Sequence, residues 1–343
     1  MNIDKIAVLG AGAWGTALAL EFADRHAVSI WARDPKHIEE LTREHAGLAA
    51  STDMQAVLDG ADVIVVAVPS GAVPELVAQI KAAGASTTPM VLAAKGLDET
   101  ANRLLSESIA EILPDAPLAI LSGPSFASDL RAGMPTAITL ALKPDTTELR
   151  ATGLALTKAL ASRHFRIYLS DDPIGVQVGG AVKNVIAIAC GIAAGRDYGS
   201  NTHAALISRG LAEITRLATT LGGRAETMMG LAGVGDLVLT CSNTKSRNYS
   251  YGLRRGSGKD HATAMAESAG VVEGVNNTAA VMALAERYGV EMPIVSAVND
   301  LLHHGADLDS AIGALLSRPL KGEGGMWADQ PLSADLSTDD RPA

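Results

Sequence analysis

Lys183 is the one charged residue in the apolar run VGGAVKNVIAIACGIAAG at 178–195, and the amide Asn184 follows it directly. An ammonium in such surroundings is strongly disfavoured unless it gives up its proton readily or finds partners. That makes Lys183 a candidate proton donor or acceptor, the plain alternative being a side chain that snorkels to the surface. Three other segments look unlike ordinary packing: VLAAKGL with Lys95, LSGPSFA with Gly123 and Ser125, and SRN at 246–248 after GVGDLVLTC. The first two end apolar runs that read as strands, and an open α/β sheet binds its ligands beyond the carboxyl ends of strands. Each also has a structural reading. Gly123-Pro124-Ser125 can be a turn with a hydroxyl bonded to its own backbone, Asp236 a helix cap and Arg247 a surface charge.

A second kind of chemistry stands at the start of the chain. Gly10, Gly12 and Gly15 of GAGAWG keep the G-x-G-x-x-G spacing, between the strand-like IAVLG and the helix-like TALALEFAD. Glycines at those positions allow a tight turn, close approach of backbone to a pyrophosphate and close helix–sheet packing, with the helix N-terminus facing the phosphates. The second strand ends in IWARD, about twenty residues further on, where an NAD site places an acidic residue against the ribose. Here Arg33 comes first. A guanidinium suits the 2′-phosphate of NADPH, and Asp34 behind it leaves room for NADH; a solvated arginine is the alternative.

These residues need elements to hold them. Short apolar runs at 6–10, 27–32, 63–68, 90–95, 118–122 and 136–142 alternate with helix-compatible segments, and HFRIYLS at 164–170 closes the series. Runs apolar on every residue read as strands buried on both faces, the mark of a parallel sheet covered by helices. The fold class is therefore α/β: a doubly wound Rossmann-type sheet over 1–170. From Asp171 the pattern turns to long Ala/Leu/Gly-rich helices, so an all-α domain is expected over 171–322, opened by the caps and proline of Ser170-Asp171-Asp172-Pro173. The polar, acidic segment from 323 to 343 reads as a mobile tail.

Composition narrows the class. The chain has 343 residues, 48% hydrophobic and 19% charged, ordinary for a globular enzyme of about two domains. A net charge of −10 argues against nucleic acid as the main partner. Cys190 and Cys241 lack zinc-type spacing, so neither a metal nor a disulfide framework is expected, and the chain reads as reduced and cytoplasmic. No signal peptide is expected, since the first apolar stretch is short and has no basic leader. The Lys183 run is the closest approach to a membrane span, and its lysine, amide and glycines make a buried core helix the better reading.

The sequence resembles the bacterial NAD(P)-dependent glycerol-3-phosphate dehydrogenase family. GAGAWGTALA, AAKGL, SGPSFA, GGAVKNVIAIACGI, GVGDLVLTC, KSRN and VVEGV carry the resemblance, in that family's order, from residue 10 to about 275. It implies that Lys183 is the general acid/base at the substrate C2 oxygen. It implies substrate contacts from Lys95, Gly123, Ser125, Lys183, Asp236, Ser246, Arg247 and Asn248. Cofactor contacts would come from Ala13 and Trp14 beside Gly10, Gly12 and Gly15, and from Arg33, Lys95, Ala127, Arg247, Val271 and Glu273. Position 13 is Ala where many relatives have Ser, which removes a hydroxyl but leaves the backbone N–H. The cofactor implied is NADP or NAD and the substrate pair is dihydroxyacetone phosphate and sn-glycerol 3-phosphate, serving phospholipid synthesis. A homodimer through the helical domain is compatible with this.

Two other readings stand beside it. A related two-domain dehydrogenase acting on a hydroxy acid or ketopantoate would also use an arginine, for a carboxylate. A non-catalytic dinucleotide sensor would fit the glycine motif but leaves Lys95, Lys183 and SRN without a role.

Overall fold

The computed structural model describes residues 1–268 and 270–316; the expected tail at 323–343, and the expected end of the helical domain at 322, lie outside them. Ten strands occur in chain order: β1 (Lys5–Leu9), β2 (Ala27–Trp31), β3 (Ala49–Ser51), β4 (Val63–Val66), β5 (Met90–Leu92), β6 (Leu97–Asp98), β7 (Arg103–Leu104), β8 (Leu118–Ser122), β9 (Thr136–Ala141) and β10 (Phe165–Ser170). Eight form one sheet in the order β10-β9-β8-β5-β4-β1-β2-β3, and β6 and β7 form a small separate hairpin. β1 lies third from the β3 edge, parallel to β2 and β4, with Ile6 beside Val28 and Val63. All four residues of β4 are buried, because helices cover both faces and leave no solvent side to a central strand. The two faces carry separate cores, one around Val8, Phe22 and Leu140 and the other around Leu9, Ile64 and Leu92.

The sheet departs from an all-parallel pattern at one place. β9 runs antiparallel to β8, with Ile120 opposite Ala141, and β10 follows β9 in parallel. The segment between β8 and β9 holds only the helix Ala127–Arg131, too little to carry the chain back across the sheet as a long crossover does. The chain therefore leaves β10 at the end opposite the carboxyl ends of β1, β4, β5 and β8, and the next helix runs back along the sheet towards them.

That helix, Pro173–Gly195, is buried on every residue from Gly175 to Ala193. Asp172 caps it, accepting from Gly175 N at 2.9 Å, and Pro173 fills a first-turn position that needs no N–H donor. Among the described residues it is the one helix long and apolar enough to cross a membrane, and 89% of its apolar window is buried inside the fold. From here on, the regular structure of the described residues is helical. The helices Ser200–Thr220, Asp236–Cys241, Arg247–Gly256 and Glu273–Arg287 pack around the central one. Its crossing with Arg247–Gly256 is backbone to backbone. A Cβ on Gly191 would overlap the Tyr249 carbonyl, and one on Gly252 the Ile188 carbonyl.

Candidate active site

The buried lysine has partners. Lys183 Nζ donates to Asp236 Oδ1 at 2.5 Å and to Thr240 Oγ1 at 2.8 Å. Asp236 and Thr240 stand one turn apart on the helix Asp236–Cys241, so both side chains reach the same face. The second oxygen of Asp236 accepts from Lys95 Nζ at 2.9 Å, and that ammonium also donates to the Gly123 carbonyl at 2.8 Å and lies 3.4 Å from Ser125 Oγ. One carboxylate thus holds two lysines, from the end of a strand and from the middle of a helix. Lys95 stands three residues past the end of β5 and Gly123 directly follows β8, so both lie at the carboxyl ends of neighbouring strands.

Burial pushes the Lys183 ammonium down, Asp236 pulls it back, Lys95 pushes it down again, and the balance is a pKa of about 8. For Asp236 burial acts upward, but the charges of Lys183 and Lys95 and their hydrogen bonds outweigh it, so the carboxyl titrates below its ordinary range. The result is a carboxylate held low beside an ammonium that gives up its proton around pH 8 rather than above 10, with hydroxyls at hand from Thr240 and Ser125. Such a group can act as general acid or general base. The helix reaches this position because Gly180 has no side chain: a Cβ there would stand 2.6 Å from Ser122 Oγ at the end of β8.

Arg247 is exposed at the first position of the helix Arg247–Gly256 and makes no hydrogen bond or ion pair among the described residues. Its guanidinium lies against Gly270, and its charge lowers the pKa of Glu273. Ser246 caps the same helix, accepting from Tyr249 N at 3.2 Å. The Asn248 side chain joins two helices, donating to Asn184 Oδ1 at 3.0 Å and accepting from Gly274 N at 2.8 Å. Both polar side chains are therefore committed to structure. What they leave at the helix start is the backbone N–H groups of Arg247 and Asn248 beside a planar cation, a suitable seat for an oxyanion.

The nucleotide end can be tested for fit. Gly10 has φ +114, and a Cβ there would meet the Ala67 carbonyl oxygen at 2.6 Å; one on Gly15 would overlap Gly10 itself; around Gly12 nothing stands within 4 Å. The first two positions exclude side chains and the third leaves open space in front of the helix Ala13–Ala23, whose N-terminus has no side-chain cap. Trp14 Nε1 is buried without a partner among the described residues, its ring edge-on to Phe165. Arg33 is exposed just past β2, while Asp34 serves as a helix cap for Lys36 N at 3.0 Å. Ala127 opens the short helix that packs on Ala13–Ala23, and Val271 is exposed two residues before Glu273. Open loop, free helix start and orphaned indole donor fit a dinucleotide.

Four residues were not evident from the sequence. Thr240 is one. The others surround Glu273: Ser70 Oγ donates to Glu273 Oε2 at 2.9 Å and lies 3.4 Å from Glu99 Oε1, and Asn277 Nδ2 donates to Ser70 Oγ at 3.0 Å. Asn277 Oδ1 also accepts from Leu97 N at 2.6 Å. The cluster joins the sheet to the helix Glu273–Arg287, and burial holds the carboxyls of Glu273 and Glu99 above their ordinary range. A sequence signal existed only for Asn277, one helical turn after Glu273 in VVEGVNN.

A Rossmann-type sheet with a free nucleotide loop, joined to a helical bundle that buries a lysine–carboxylate–lysine centre, defines a two-domain NAD(P)-type oxidoreductase. Residues 5–148 match the family model for the N-terminus of NAD-dependent glycerol-3-phosphate dehydrogenase, and residues 172–313 match the model for its C-terminus. The chain belongs to the NAD-dependent glycerol-3-phosphate dehydrogenase family. It is 44% identical over 338 residues to the glycerol-3-phosphate dehydrogenase [NAD(P)+] of Rhodospirillum rubrum, covering 94% of this chain and 95% of that one. The enzyme of that name from Parvibaculum lavamentivorans is 44% identical, covering 93% and 98%. The crystal structure of glycerol-3-phosphate dehydrogenase from Coxiella burnetii superposes with a TM-score of 0.87 at 40% identity, covering 92% of this chain and 99% of that chain. D-mandelate dehydrogenase with NADH shares the fold alone, at 16% identity and a TM-score of 0.60, with 88% and 98% covered.

Proposed function

We propose that this chain catalyses the reversible NAD(P)H-dependent reduction of dihydroxyacetone phosphate to sn-glycerol 3-phosphate, and so feeds glycerophospholipid synthesis. The observation that carries this reading is Lys183, buried on Asp236 and Thr240 with a pKa of about 8. Family membership supplies the substrate.

Protonated Lys183 donates to the C2 oxygen as that oxygen gains charge, and the neutral amine left behind takes a proton back from solvent. Asp236 keeps its charge throughout and fixes both lysines. Lys95, held by the Gly123 carbonyl and beside Ser125, faces the substrate oxygens and stabilises the developing alkoxide. Arg247 and the backbone N–H groups of Arg247 and Asn248, with Ser246 setting the helix start, receive the phosphate. A bound nicotinamide supplies the hydride; Gly10, Gly12, Ala13, Trp14 and Gly15 would hold its pyrophosphate and Arg33 its adenosine end, with Lys95, Ala127, Arg247, Val271 and Glu273 lining the rest. Binding energy from the remote phosphate then positions C2 against the lysine.

We infer that the working unit is a homodimer and that it acts in the cytoplasm, the compartment being supported by two buried free thiols, which suit a reducing environment. The test mixes protein, dihydroxyacetone phosphate and each reduced cofactor and follows the loss of nicotinamide absorbance. Arg247→Ala, at saturating cofactor, should lower kcat/KM for dihydroxyacetone phosphate at least tenfold, since a charged hydrogen bond is worth roughly 1.5–3 kcal/mol. It should cost far less on unphosphorylated dihydroxyacetone. Equal proportional losses on the two substrates would reject the phosphate reading and return a hydroxy acid as substrate.

A further inference from the structure

Ser70 is fully buried between two carboxyls and has a single proton to offer them. Its Oγ stands 2.9 Å from Glu273 Oε2 and 3.4 Å from Glu99 Oε1. A serine hydroxyl has one hydrogen and two lone pairs. Asn277 takes one lone pair: its Oδ1 is fixed by Leu97 N at 2.6 Å, so its Nδ2 points at Ser70, 3.0 Å away. The hydrogen serves Glu273, the nearer carboxyl, and the remaining lone pair faces Glu99 Oε1. Two oxygens with only lone pairs between them repel, and a buried hydroxyl has no water to relieve them. A proton on Glu99 removes the conflict, since Glu99 then donates to Ser70 and Ser70 to Glu273. With the hydroxyl turned round the same proton sits on Glu273, so it belongs to the pair.

Burial lifts both carboxyls; Asp98 lifts Glu99 further and Glu99 lifts Glu273, against Ser70 on both and Arg247 on Glu273. Of the elements packed here, the helix Arg247–Gly256 presents Arg247 and β6 presents Asp98. Arg103 of β7 is turned to Ser108 and Glu111, and Lys183 of the central helix to Asp236 and Thr240. The helix Pro293–His303 packs through Ile294, Val295 and Val298.

The pair stands at the reacting end of the fold. Ser70 lies just past β4 and Glu99 just past β6, and Gly96, next to Lys95, packs so closely that a Cβ on it would stand 2.4 Å from Ser70 Oγ. Hydride must reach C2 beside Lys183 and Lys95, which places the nicotinamide at this end on the function proposed above. Its ring is neutral when reduced and positively charged when oxidised. A positive charge near two carboxyls favours their ionisation, and this pair has one proton to lose.

We propose, resting on that reading of the cofactor site, that Glu99 and Glu273 share one proton through Ser70 and give it to solvent when oxidised cofactor binds, so that the pair sets the relative affinity for the two redox forms. Ser70 and Glu99 are then positioning residues that act through Glu273.

Titration calorimetry of NAD+ and NADH in two buffers of different ionisation enthalpy counts the protons exchanged, free of the 2′-phosphate, which titrates itself. Between about pH 5 and about pH 8, above the ordinary carboxyl range, NAD+ should release up to about one proton and NADH none. Where release is greatest the affinity for NAD+ should rise by as much as about tenfold per pH unit, then level off once the pair is ionised unaided, while that for NADH stays level. Glu99→Gln keeps a donor for Ser70 but has no proton to lose. It should abolish the release and leave circular dichroism and NADH affinity as in the parent. Lys183→Met should leave the release in place. Release that survives Glu99→Gln, or that Lys183→Met abolishes, overturns the proposal, and so does equal exchange with NAD+ and NADH. Failure of both dinucleotides to bind rejects the cofactor site and the proposal with it; binding without exchange rejects the proposal alone.

Discussion

Lys183 titrates in a range that enzymology can read, and its neighbours set that range in opposite directions. Reduction needs the protonated amine, so kcat/KM for dihydroxyacetone phosphate should be level at lower pH and fall about tenfold per unit above the pKa of about 8. Oxidation of glycerol 3-phosphate needs the free amine and should rise towards the same pH. Lys95→Met removes an ammonium that lowers the Lys183 pKa and should move the break upward; Asp236→Asn removes the carboxylate that raises it and should move the break downward. Breaks that stay in place in both variants would assign the titration to another group. Lys183→Met should keep NADPH binding and cost ~10²–10⁴ in turnover. Arg33→Asp should weaken NADPH by about 10- to 150-fold relative to NADH, from one charged contact of roughly 1.5–3 kcal/mol, measured by cofactor titration. At this scale the sequence is legible where a residue type is out of place. A lysine in an apolar run stands out; Thr240, a threonine in a helix, does not. Nor do Ser70 and Glu99, which matter only because residues two hundred positions later fold against them.

The alternation of apolar runs and helical segments is plain in the sequence, and so is the change of pattern from Asp171. β3, with sequence AAS, has no branched or aromatic residue to mark it, and the β6–β7 hairpin is too short to show a period. The reversal of β9 could not be read from its own residues, since TAITLA is as apolar as its parallel neighbours and direction is decided by the connection before it. The glycines of the central helix, read as marks of a buried core helix, have a definite counterpart: Gly191 and Gly195 face Gly252 and Gly256 with no room for a Cβ on any of them. Gly252→Ala should therefore cost roughly 1–3 kcal/mol in denaturant unfolding, the usual range for overpacking. It should also raise KM for dihydroxyacetone phosphate more than for NADPH, because the helix it displaces begins at Arg247. A shift confined to the cofactor would disconnect that crossing from the substrate.

Several polar links tie the N-terminal half to the helical bundle, and Asn277 makes two of them, to Leu97 N and Ser70 Oγ, while its amide also donates to the Glu273 carbonyl of its own helix. Asn277→Ala leaves the buried Leu97 N–H without its acceptor and should lower stability by roughly 1–3 kcal/mol, with faster hydrogen exchange in the 97–104 hairpin than in β1 or β4. Uniform exchange across the sheet would mean that the link is incidental. The wide spacing of the centre along the chain also bears on how the enzyme is made. Lys95 and Ser125 belong to the half that leaves the ribosome first; Lys183, Asp236 and Arg247 come from three later helices, and the chain must turn round at the far end of the sheet before any of them can reach the strand ends. Synthesis runs from the N-terminus and domains fold as they emerge, so the glycine loop proposed for the pyrophosphate is in place before the proposed acid. On the proposed assignment, the residues that would hold the pyrophosphate emerge well before the acid, and hydride transfer to stray carbonyls would have no catalyst until the last of those helices is in place.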